Sequence, residues 1–391
     1  MTATENQYDI IVVGAGLIGS ACALSLAKNT NYSIALVERS KPISDNTHPN
    51  QRVVALGRTA TELLKDLDIF TDLTKEFCHA YDKMFVWDEN SQGQLSFTAE
   101  DYQRPELGHI VDSIQCTMLL QQKVGQSKTI DQYYSFAAEQ LNIEDHGLSL
   151  RSQQQELQAK LIIAADGNRS WVRQQAKIFA PSDDYEQKGI VATIRTEQPH
   201  LDTAWQRFMG TGPIAVLPLD DNKSSIVWTA ANEYADQLLA LDNSEFESAL
   251  ADALEQKLGT IELLSQPMAF PLKSIKADKY CKKRLVLIGD AAHSIHPLAG
   301  QGANLGFKDV LSLTSVLADA DESSLGDLEI LHKFQGARQI DNKQTDLLMT
   351  ALHHGFKSES LWWASIRGQG MNVIGGNQLL RKMLVMGAAG D

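Results

Sequence analysis

The sequence predicts an α/β protein whose parallel sheet is assembled from discontinuous segments, with an inserted β-rich domain and a helical C-terminal segment. Three apolar runs, "DIIVV", "KLIIAA" and "RLVLI", each end in a glycine-containing turn that leads into a predicted helix. Such runs are typical of buried parallel strands. The three runs are far apart along the chain, so we expect distant segments to join one sheet.

Alternating apolar and polar residues indicate a different architecture between the second and third runs. "GIVATIRT", "PIAVLPL" and "SSIVWTAA" have the two-residue period of antiparallel strands, and "SEFESALADALEQKLG" is predicted to form one helix. We therefore predict a β-rich domain from residues 76–99 and 178–271, a first domain from residues 1–75, 100–177 and 272–345, and a helical C-terminal segment from residues 346–391.

The composition is that of an ordinary globular chain, with 391 residues, 43% of them hydrophobic and 21% charged. A net charge of −14 argues against a nucleic-acid partner, because phosphates would not be neutralised. Four cysteines without CxxC spacing predict buried, reduced thiols and a cytoplasmic location. No run approaches the roughly 18–20 apolar residues of a spanning helix. The N-terminal run predicts a strand and not a signal peptide.

The motif Gly14-Ala-Gly16-Leu-Ile-Gly19 predicts a dinucleotide site. Gly14 permits a tight turn, Gly16 lets the backbone approach a pyrophosphate, and Gly19 lets helix and strand pack closely. The N-terminus of the following helix favours an anion. Glu38 follows the motif at the spacing of a ribose-binding carboxylate, about 20 residues. These features predict a bound adenine dinucleotide and leave NAD and FAD open.

The second glycine turn adds polar groups to the predicted site. Asp166-Gly167 follows "LIIAA", and Ser170 and Arg173 come next in "ADGNRSWVR". Their positions on the following helix suit a second phosphate or cofactor contact.

The third glycine turn favours a flavin. Asp290 can accept hydrogen bonds from ribose or ribityl hydroxyls, and residues 297–302 form a side-chain-poor wall before a predicted helix. A reduced flavin carries negative charge that a helix N-terminus stabilises. Asp290, His293 and His296 also have a spacing that resembles metal ligands. Because the adjacent glycines and proline suit a planar cofactor better, we predict no metal.

The three motifs together resemble a known family. "DIIVVGAGLIGSACALSLA…LVER", "ADGNRSWVR" and "LVLIGDAAHSIHPLAGQGANLGFKDV" are similar, in this order, to the signatures of the class A flavoprotein aromatic hydroxylases. More narrowly, "QRVVALG", "LGHIVD" and "HPLAGQGANLGFKD" resemble the ubiquinone-biosynthesis hydroxylases. The similarity extends over nearly the whole chain and implies the FAD-binding GR2/PHBH-like fold, with the β-rich insertion binding substrate.

The resemblance also implies which residues bind FAD. Arg52 matches an arginine that reaches the cofactor from the loop after the second strand. Where many relatives have Asn and Arg, this chain has Ser113 and Ile114, which leaves Gln115 or Gln121 as polar substitutes. The implied cofactor contacts are Gly14, Gly16, Gly19, Glu38, Arg39, Arg52, Asp166, Gly167, Gly289, Asp290, Pro297, Gly300, Gln301, Gly302 and Asn304. No catalytic base is identified, and the flavin-proximal candidates are His296, Pro297 and Gln301.

The implied activity is hydroxylation of the ring of a polyprenyl phenol or benzoquinol in ubiquinone biosynthesis. FAD reduced by NAD(P)H or another electron donor would react with O2 to give a C4a-hydroperoxide that attacks the ring, while the protein excludes water. No separate NAD(P)H domain is evident. Two alternatives stay open, namely a hydroxylase of a soluble aromatic compound and a non-catalytic, flavin-bound scaffold of a quinone-synthesis assembly.

The C-terminal tail, from about residue 353, is more basic than the rest of the chain and rich in Trp and Met. Trp362 and Trp363 near arginines suit either helices that cap the fold or a surface facing lipid or a partner protein. With a lipophilic prenylated substrate, the second interpretation places a cytoplasmic protein at the inner face of a membrane.

Overall fold

The protein is described by a computed structural model over residues 6–44, 52–74, 76–91, 93–294 and 301–357. These residues form twenty strands, β1 (Gln7–Val13), β2 (Ile34–Val37), β3 (Val53–Leu56), β4 (Cys78–Tyr81), β5 (Lys83–Asp88), β6 (Gln94–Thr98), β7 (Gly108–Asp112), β8 (Ile130–Tyr133), β9 (Gln140–Ile143), β10 (Leu148–Arg151), β11 (Glu156–Ala164), β12 (Ser182–Thr196), β13 (Thr203–Phe208), β14 (Ile214–Pro218), β15 (Lys223–Ala231), β16 (Ile261–Leu263), β17 (Met268–Lys276), β18 (Cys281–Lys282), β19 (Leu285–Leu287) and β20 (His293–Ser294).

The same residues form nine α-helices, α1 (Leu17–Asn29), α2 (Arg58–Asp66), α3 (Phe70–Leu73), α4 (Ser113–Gln126), α5 (Trp171–Gln175), α6 (Asn232–Ala240), α7 (Asn243–Ala253), α8 (Gln301–Ala318) and α9 (Leu328–Lys357). Short 3₁₀ helices lie at Ala99–Tyr102, Gly289–Ala291 and Glu322–Ser324. Where one helix was predicted in the insertion, the structure has two, α6 and α7. Among the described helices none has the length and apolar character needed to cross a bilayer.

The first sheet has a parallel core of five strands in the order β19-β11-β1-β2-β8. These strands come from both ends of the chain, which confirms the predicted assembly from discontinuous segments. Ile10, Ile11 and Ile162 have no exposed surface, because helices cover the sheet as in other parallel sheets. Helix α1 packs against α4 and α8, and all residues from Gly19 to Leu26 are buried.

The second sheet has nine strands, in the order β20-β17-β12-β15-β14-β13-β5-β6 with β16 beside β12. Its pairs are antiparallel except for the parallel pair β13–β5. One face buries Ile190, Ile226 and Trp228 against Phe246 and Leu250 of α7. Since side chains alternate along a strand, the intervening residues of the same strands lie on the opposite face. This face forms part of the cavity described below.

The third sheet, β3-β7-β4, has three antiparallel strands. Helix α9 is continuous through residue 346, so the predicted start of the C-terminal segment lies inside a helix. Strand β17 likewise crosses the predicted domain limit at residue 271. Trp362, Trp363 and the remainder of the tail beyond residue 357 lie outside the described residues.

Candidate functional site

A cavity of about 590 Å³ is lined by residues of the second and third sheets, of the turns that follow β11 and β19, and of α1, α4 and α8. This volume is in the usual range for small-molecule sites. Two of its walls differ in chemistry. The glycine wall is formed by Gly16, Gly167, Asp290 and Gly302, and the sheet wall by Val191, Ala215, Leu217, Val227 and Phe270 of the second sheet.

The glycines of the first motif have two distinct roles. At Gly14, where φ is +104°, a Cβ atom would lie 2.4 Å from the carbonyl oxygen of Ala165, and at Gly19 a Cβ atom would lie 1.8 Å from that of Gly14. These two positions therefore need glycine for the turn to pack on β11. Gly16 differs, because it lines the cavity and nothing lies within 4 Å of its Cβ position.

Glu38, at the end of β2, holds the first turn. Its Oε2 accepts a hydrogen bond from the Ala15 N–H (3.0 Å) and its Oε1 accepts one from the Ser40 N–H (2.9 Å). Neither Glu38 nor the exposed Arg39 lines the cavity. The structure thus brings Glu38 to the backbone of the glycine turn and leaves Arg39 apart from it.

Helix α4 contributes Gln121, which the sequence offered as a polar substitute, and Ser113, which it did not. The Gln121 amide donates to the Ala15 carbonyl (2.7 Å) and accepts from the Ile43 N–H (3.0 Å). Both polar atoms of its side chain therefore bind backbone groups of the protein. Ser113 instead lines the cavity together with Arg52, and its hydroxyl donates to the Arg52 carbonyl at 2.8 Å. From the sequence, Ser113 was notable only because many relatives have Asn at this position.

Asp166 follows β11 beside the cavity. Its Oδ2 accepts a hydrogen bond from the Val172 N–H at 3.1 Å, whereas its buried Oδ1 has no partner among the described residues. Burial raises the pKa of Asp166 above the ordinary value, although hydrogen bonds oppose the shift. Gly167, with φ of +78°, lines the cavity and has no atom within 4 Å of its Cβ position.

Ser170 and Arg173 make contacts within the protein, and their predicted contact with a phosphate or the cofactor stays a prediction. The Ser170 hydroxyl caps α5 by accepting from the Arg173 N–H at 3.0 Å. The buried Arg173 guanidinium donates to the carbonyls of Ala291 and Asn168, each at 2.8 Å. Arg173 thereby connects the second motif to the third, whereas Ser170 caps its own helix.

A buried charge network supports the loop that carries Asp290. Asp309 of α8 has no exposed surface and accepts hydrogen bonds from the Gly289 N–H (2.9 Å), His293 Nε2 (2.6 Å) and Arg338 Nε (2.7 Å). Burial alone would raise the pKa of Asp309, but the His293 and Arg338 side chains together lower it. His293 is thus engaged by Asp309, and the absence of a metal at this motif stays a prediction.

Asp290 is an exposed residue that lines the cavity. The protein around its carboxyl raises the pKa of Asp290 by desolvation, and His293 partly opposes this. Its carboxyl is therefore placed to accept hydrogen bonds from a ligand in the cavity.

The start of α8 contains a glycine that faces the cavity and an asparagine that bonds to the third sheet. Gly302 lines the cavity with nothing within 4 Å of its Cβ position, and Gln301 is buried. Asn304 accepts a hydrogen bond from the Gly57 N–H and donates to the Ala55 carbonyl, both at 2.9 Å, so it connects α8 to the third sheet. The candidates His296, Pro297 and Gly300 lie outside the described residues.

These features fit a dinucleotide cofactor. Gly16, Gly167 and Gly302 leave space that any larger side chain would occupy. The unpaired Oδ1 of Asp166 can accept a hydrogen bond from a ligand hydroxyl. No side chain caps α1, so its N-terminus can receive an anion.

Comparison with known proteins gives the class. Residues 7–324 match the family model described as an FAD binding domain. The chain belongs to this family, and it is a flavin-dependent monooxygenase with FAD as its cofactor. The predicted cofactor and enzyme class are confirmed.

Individual relatives indicate a narrower group within the family. The chain is 31% identical over 361 residues to 3-demethoxyubiquinol 3-hydroxylase of Escherichia coli (strain K12), covering 91% of each protein. It is 32% identical over 402 residues to the mitochondrial ubiquinone biosynthesis monooxygenase COQ6 of Danio rerio, covering 89% of this chain and 82% of the relative. The resemblance to the ubiquinone-biosynthesis hydroxylases is therefore confirmed.

Solved structures confirm the PHBH-like fold. The p-nitrophenol 4-monooxygenase PnpA of Pseudomonas putida DLL-E4 superposes with a TM-score of 0.79 at 15% identity, covering 97% of each chain. PqsL of P. aeruginosa superposes with a TM-score of 0.78 at 18% identity, covering 92% of this chain and 98% of that one.

Proposed function

We propose that this protein hydroxylates the ring of a polyprenylated phenol or quinol in ubiquinone biosynthesis, with O2 as co-substrate and NAD(P)H or another electron donor as reductant. The observation that carries the proposal is the single cavity shared by the glycine wall and the apolar sheet wall. When bound, FAD supplies the redox chemistry that activates O2. The residues of the chain position the ring and exclude water.

The glycine wall is proposed to hold FAD. Gly16 and the N-terminus of α1 would receive the pyrophosphate. Asp166 Oδ1 and the Asp290 carboxyl would accept hydrogen bonds from cofactor hydroxyls, and Gly302 would let the start of α8 approach the ring system. The other proposed contacts are Gly14, Gly19, Glu38, Arg39, Arg52, Gly167, Gly289, Pro297, Gly300, Gln301 and Asn304, of which Gly14, Gly19 and Asn304 act by shaping the backbone.

The sheet wall is proposed to hold the substrate. Val191, Leu217 and Val227 offer an apolar surface to a prenylated ring, and Gln206 and Ser225 add polar groups beside it. A pocket that is mostly apolar with a few polar groups orients a ring while shielding it from water.

Mass spectrometry of quinone lipids tests the proposal in a host strain that lacks this gene. We expect a prenylated precursor short of one hydroxyl to accumulate, and the wild-type gene to remove it. A gene carrying Gly16→Val, which fills the proposed cofactor space, is the matched negative control. Unchanged ubiquinone without any precursor would contradict the substrate class. Substrate-dependent NADPH oxidation with soluble phenols would then identify the alternative.

The location follows from the same substrate. We infer that the tail beyond residue 357 contacts the inner face of a membrane and proteins of the quinone-synthesis assembly, supported by Trp362 and Trp363 near basic residues. Co-sedimentation with vesicles containing anionic lipid tests the membrane contact. A Trp362→Glu/Trp363→Glu variant should remain in the supernatant, and equal sedimentation of the variant and the wild type would contradict the inference.

A further inference from the structure

A second group of polar side chains lies where the third sheet meets the second. We call it the His79 cluster, formed by His79 of β4 with His200 and Asp202 of the β12–β13 loop. Asp202 Oδ1 lies 2.9 Å from His79 Nε2 and 3.9 Å from His200 Nδ1. The three atoms lie within 4.8 Å of one another, and in the described part of the chain no other such trio of His, Cys, Asp or Glu residues occurs.

Hydrogen bonds behind both histidines determine which ring nitrogens carry protons. His79 Nδ1 lies 2.8 Å from Asp220 Oδ1, and His200 Nε2 lies 2.8 Å from the Leu219 carbonyl oxygen. Those oxygens only accept, so these two nitrogens donate. In the neutral imidazoles, the lone pairs of His79 Nε2 and His200 Nδ1 then face the cluster. Metal-binding histidines in proteins typically donate their other N–H to a carboxylate or a carbonyl in this way.

The contact between His79 and Asp202 requires a positive species. With its proton on Nδ1, His79 presents a lone pair at Nε2 to a carboxylate oxygen 2.9 Å away, and two electron-rich atoms repel at this distance. A proton could bridge this pair, whereas a metal ion would bind His200 Nδ1 as well. That atom now accepts a hydrogen bond from the Asp202 N–H at 3.1 Å, which a bound cation would replace.

The backbone holds Asp202 toward the two histidines at a cost. Leu201 and Asp202 have φ values of +52° and +53°, in the left-handed region that non-glycine residues seldom adopt. Such strain persists where the surrounding structure imposes it and is frequent at ligand-binding positions. The Asp202 carbonyl is also fixed, since it accepts from the Asp82 N–H at 3.1 Å.

We propose that the His79 cluster binds a divalent transition-metal ion such as Zn²⁺ through His79 Nε2, His200 Nδ1 and Asp202 Oδ1, with water completing the coordination. Two imidazoles and a carboxylate are a suitable ligand set for this class of ion. The His79 and His200 side chains are 17% and 8% exposed, whereas Asp202 is 55% exposed, so an ion can enter from solvent. The sequence indicates no such site, because residue 79 is far from residues 200 and 202.

The location of the cluster gives the ion a structural effect. Tyr81 and Ala204, each two residues from a ligand, line the cavity. An ion held by both β4 and the β12–β13 loop would therefore pin the third sheet to the strand that continues into the cavity lining. The site does not depend on the proposed ring hydroxylation.

Zinc binding by the full-length, FAD-loaded protein, free of any affinity tag and stripped of metal, tests the site. Competition with a chromogenic chelator gives the affinity, and elemental analysis after dialysis gives the stoichiometry. We expect one Zn²⁺ per chain and a loss of affinity of about 100-fold or more in His79→Gln and Asp202→Asn. His332→Gln, at an exposed histidine of α9, is the control and should leave the affinity unchanged.

Asp220→Asn separates a metal site from a proton bridge. Asp220 is not a ligand but orients His79, so its loss should weaken zinc binding about 10- to 100-fold. Zn²⁺ should also raise the Tm of the wild type and of His332→Gln more than that of Asp202→Asn. Equal zinc affinities of the wild type and Asp202→Asn would overturn the proposal and leave a proton as the bridge. Asp202 and Asp220 are mostly exposed, so these variants remain informative if His79→Gln fails to fold.

Discussion

The two walls of the cavity are built by opposite means. The glycine wall is made of backbone and of positions that lack a side chain, with the carboxyl of Asp290 beside them. The sheet wall is made of the side chains of Val191, Leu217 and Val227, projecting from three strands. A wall of backbone sets where a ligand can approach, whereas a wall of side chains sets the shape and polarity that the ligand meets.

The support behind the walls differs in the same way. Behind the glycine wall, Asp309 and Arg338 form an ion pair that is almost wholly buried. Behind the sheet wall, Ile226 and Trp228 pack in an apolar core with α7. The glycine wall therefore depends on charge and hydrogen bonding, which are directional, and the sheet wall depends on packing, which tolerates small changes of shape.

Removal of the ion pair behind the glycine wall is expected to have the largest effect. Arg338→Leu leaves the buried Asp309 with only His293 and the Gly289 N–H as partners, so we expect the free energy of unfolding to fall by about 3–5 kcal/mol. Urea unfolding monitored by circular dichroism measures this. The control is Arg58→Leu, at an exposed i,i+4 pair with Glu62, which should cost about 0–1 kcal/mol. Similar losses in both variants would mean that the buried network does not stabilise this wall.

Two alanine substitutions in the first turn separate folding from cofactor binding. Gly14→Ala places a Cβ against Ala165 and forces a positive φ on alanine, which should destabilise the apoprotein by about 1–3 kcal/mol from strain alone. Gly16→Ala should change stability by less than about 0.5 kcal/mol. Because its methyl group enters the proposed pyrophosphate space, it should weaken FAD binding about tenfold, or 1.4 kcal/mol. Urea unfolding and flavin fluorescence titration measure the two effects, and equal results for both variants would contradict the division of roles.

A substitution in the sheet wall should affect substrate and not FAD. Val227→Phe fills part of the apolar face, and we expect KM for a short-chain prenylated phenol to rise about tenfold while FAD affinity stays unchanged. Its neighbour Ile226 points to the opposite face and is fully buried. Ile226→Val should lower stability by about 0.5–1.5 kcal/mol without changing KM. An FAD affinity that falls in Val227→Phe would show that the walls are not independent.

An effect that is confined to acidic pH is expected at His109, in the third sheet between the walls. Burial, followed by Lys65 and His79, lowers the pKa of His109 to about 4. The unfolded chain, with a pKa near about 6.5, then binds a proton that the folded chain does not. Stability should fall as pH drops from about 6.5 to 4, by up to about 1.4 kcal/mol per pH unit. Urea unfolding across this range should show a shallower slope in His109→Gln, and identical slopes would rule out His109 as the source.

The glycine wall could be predicted from sequence because its constraints act within short segments. Gly14 and Gly19 are needed for one turn to pack on one strand, so the requirement is visible in their spacing along the sequence. The carbonyl contact of Arg173 could not be predicted, because an arginine after a strand can bind a phosphate or, as here, a carbonyl of a neighbouring loop. The Asp309–Arg338 pair was missed because it joins two helices, and side-chain type alone does not show that they meet.

For the sheet wall, the sequence predicts antiparallel strands but not which side chains line the cavity. Alternation in the sequence indicates that strands such as β14 and β15 have two faces. It does not show that β13 pairs in parallel with β5, from a segment more than a hundred residues earlier. Which side chains face each other across the cavity follows from that pairing.

The burial of all four cysteines has a consequence for an enzyme that handles O2. Cys22, Cys78, Cys116 and Cys281 are free and buried. Burial raises the pKa of Cys22 and Cys78 to about 12 and of Cys281 to about 11, and it also raises the pKa of Cys116. Only a thiolate is readily oxidised to sulfenic acid. Peroxide released by an unproductive turnover would therefore meet only buried, protonated thiols at neutral pH, and we expect it to oxidise these cysteines slowly in the folded chain.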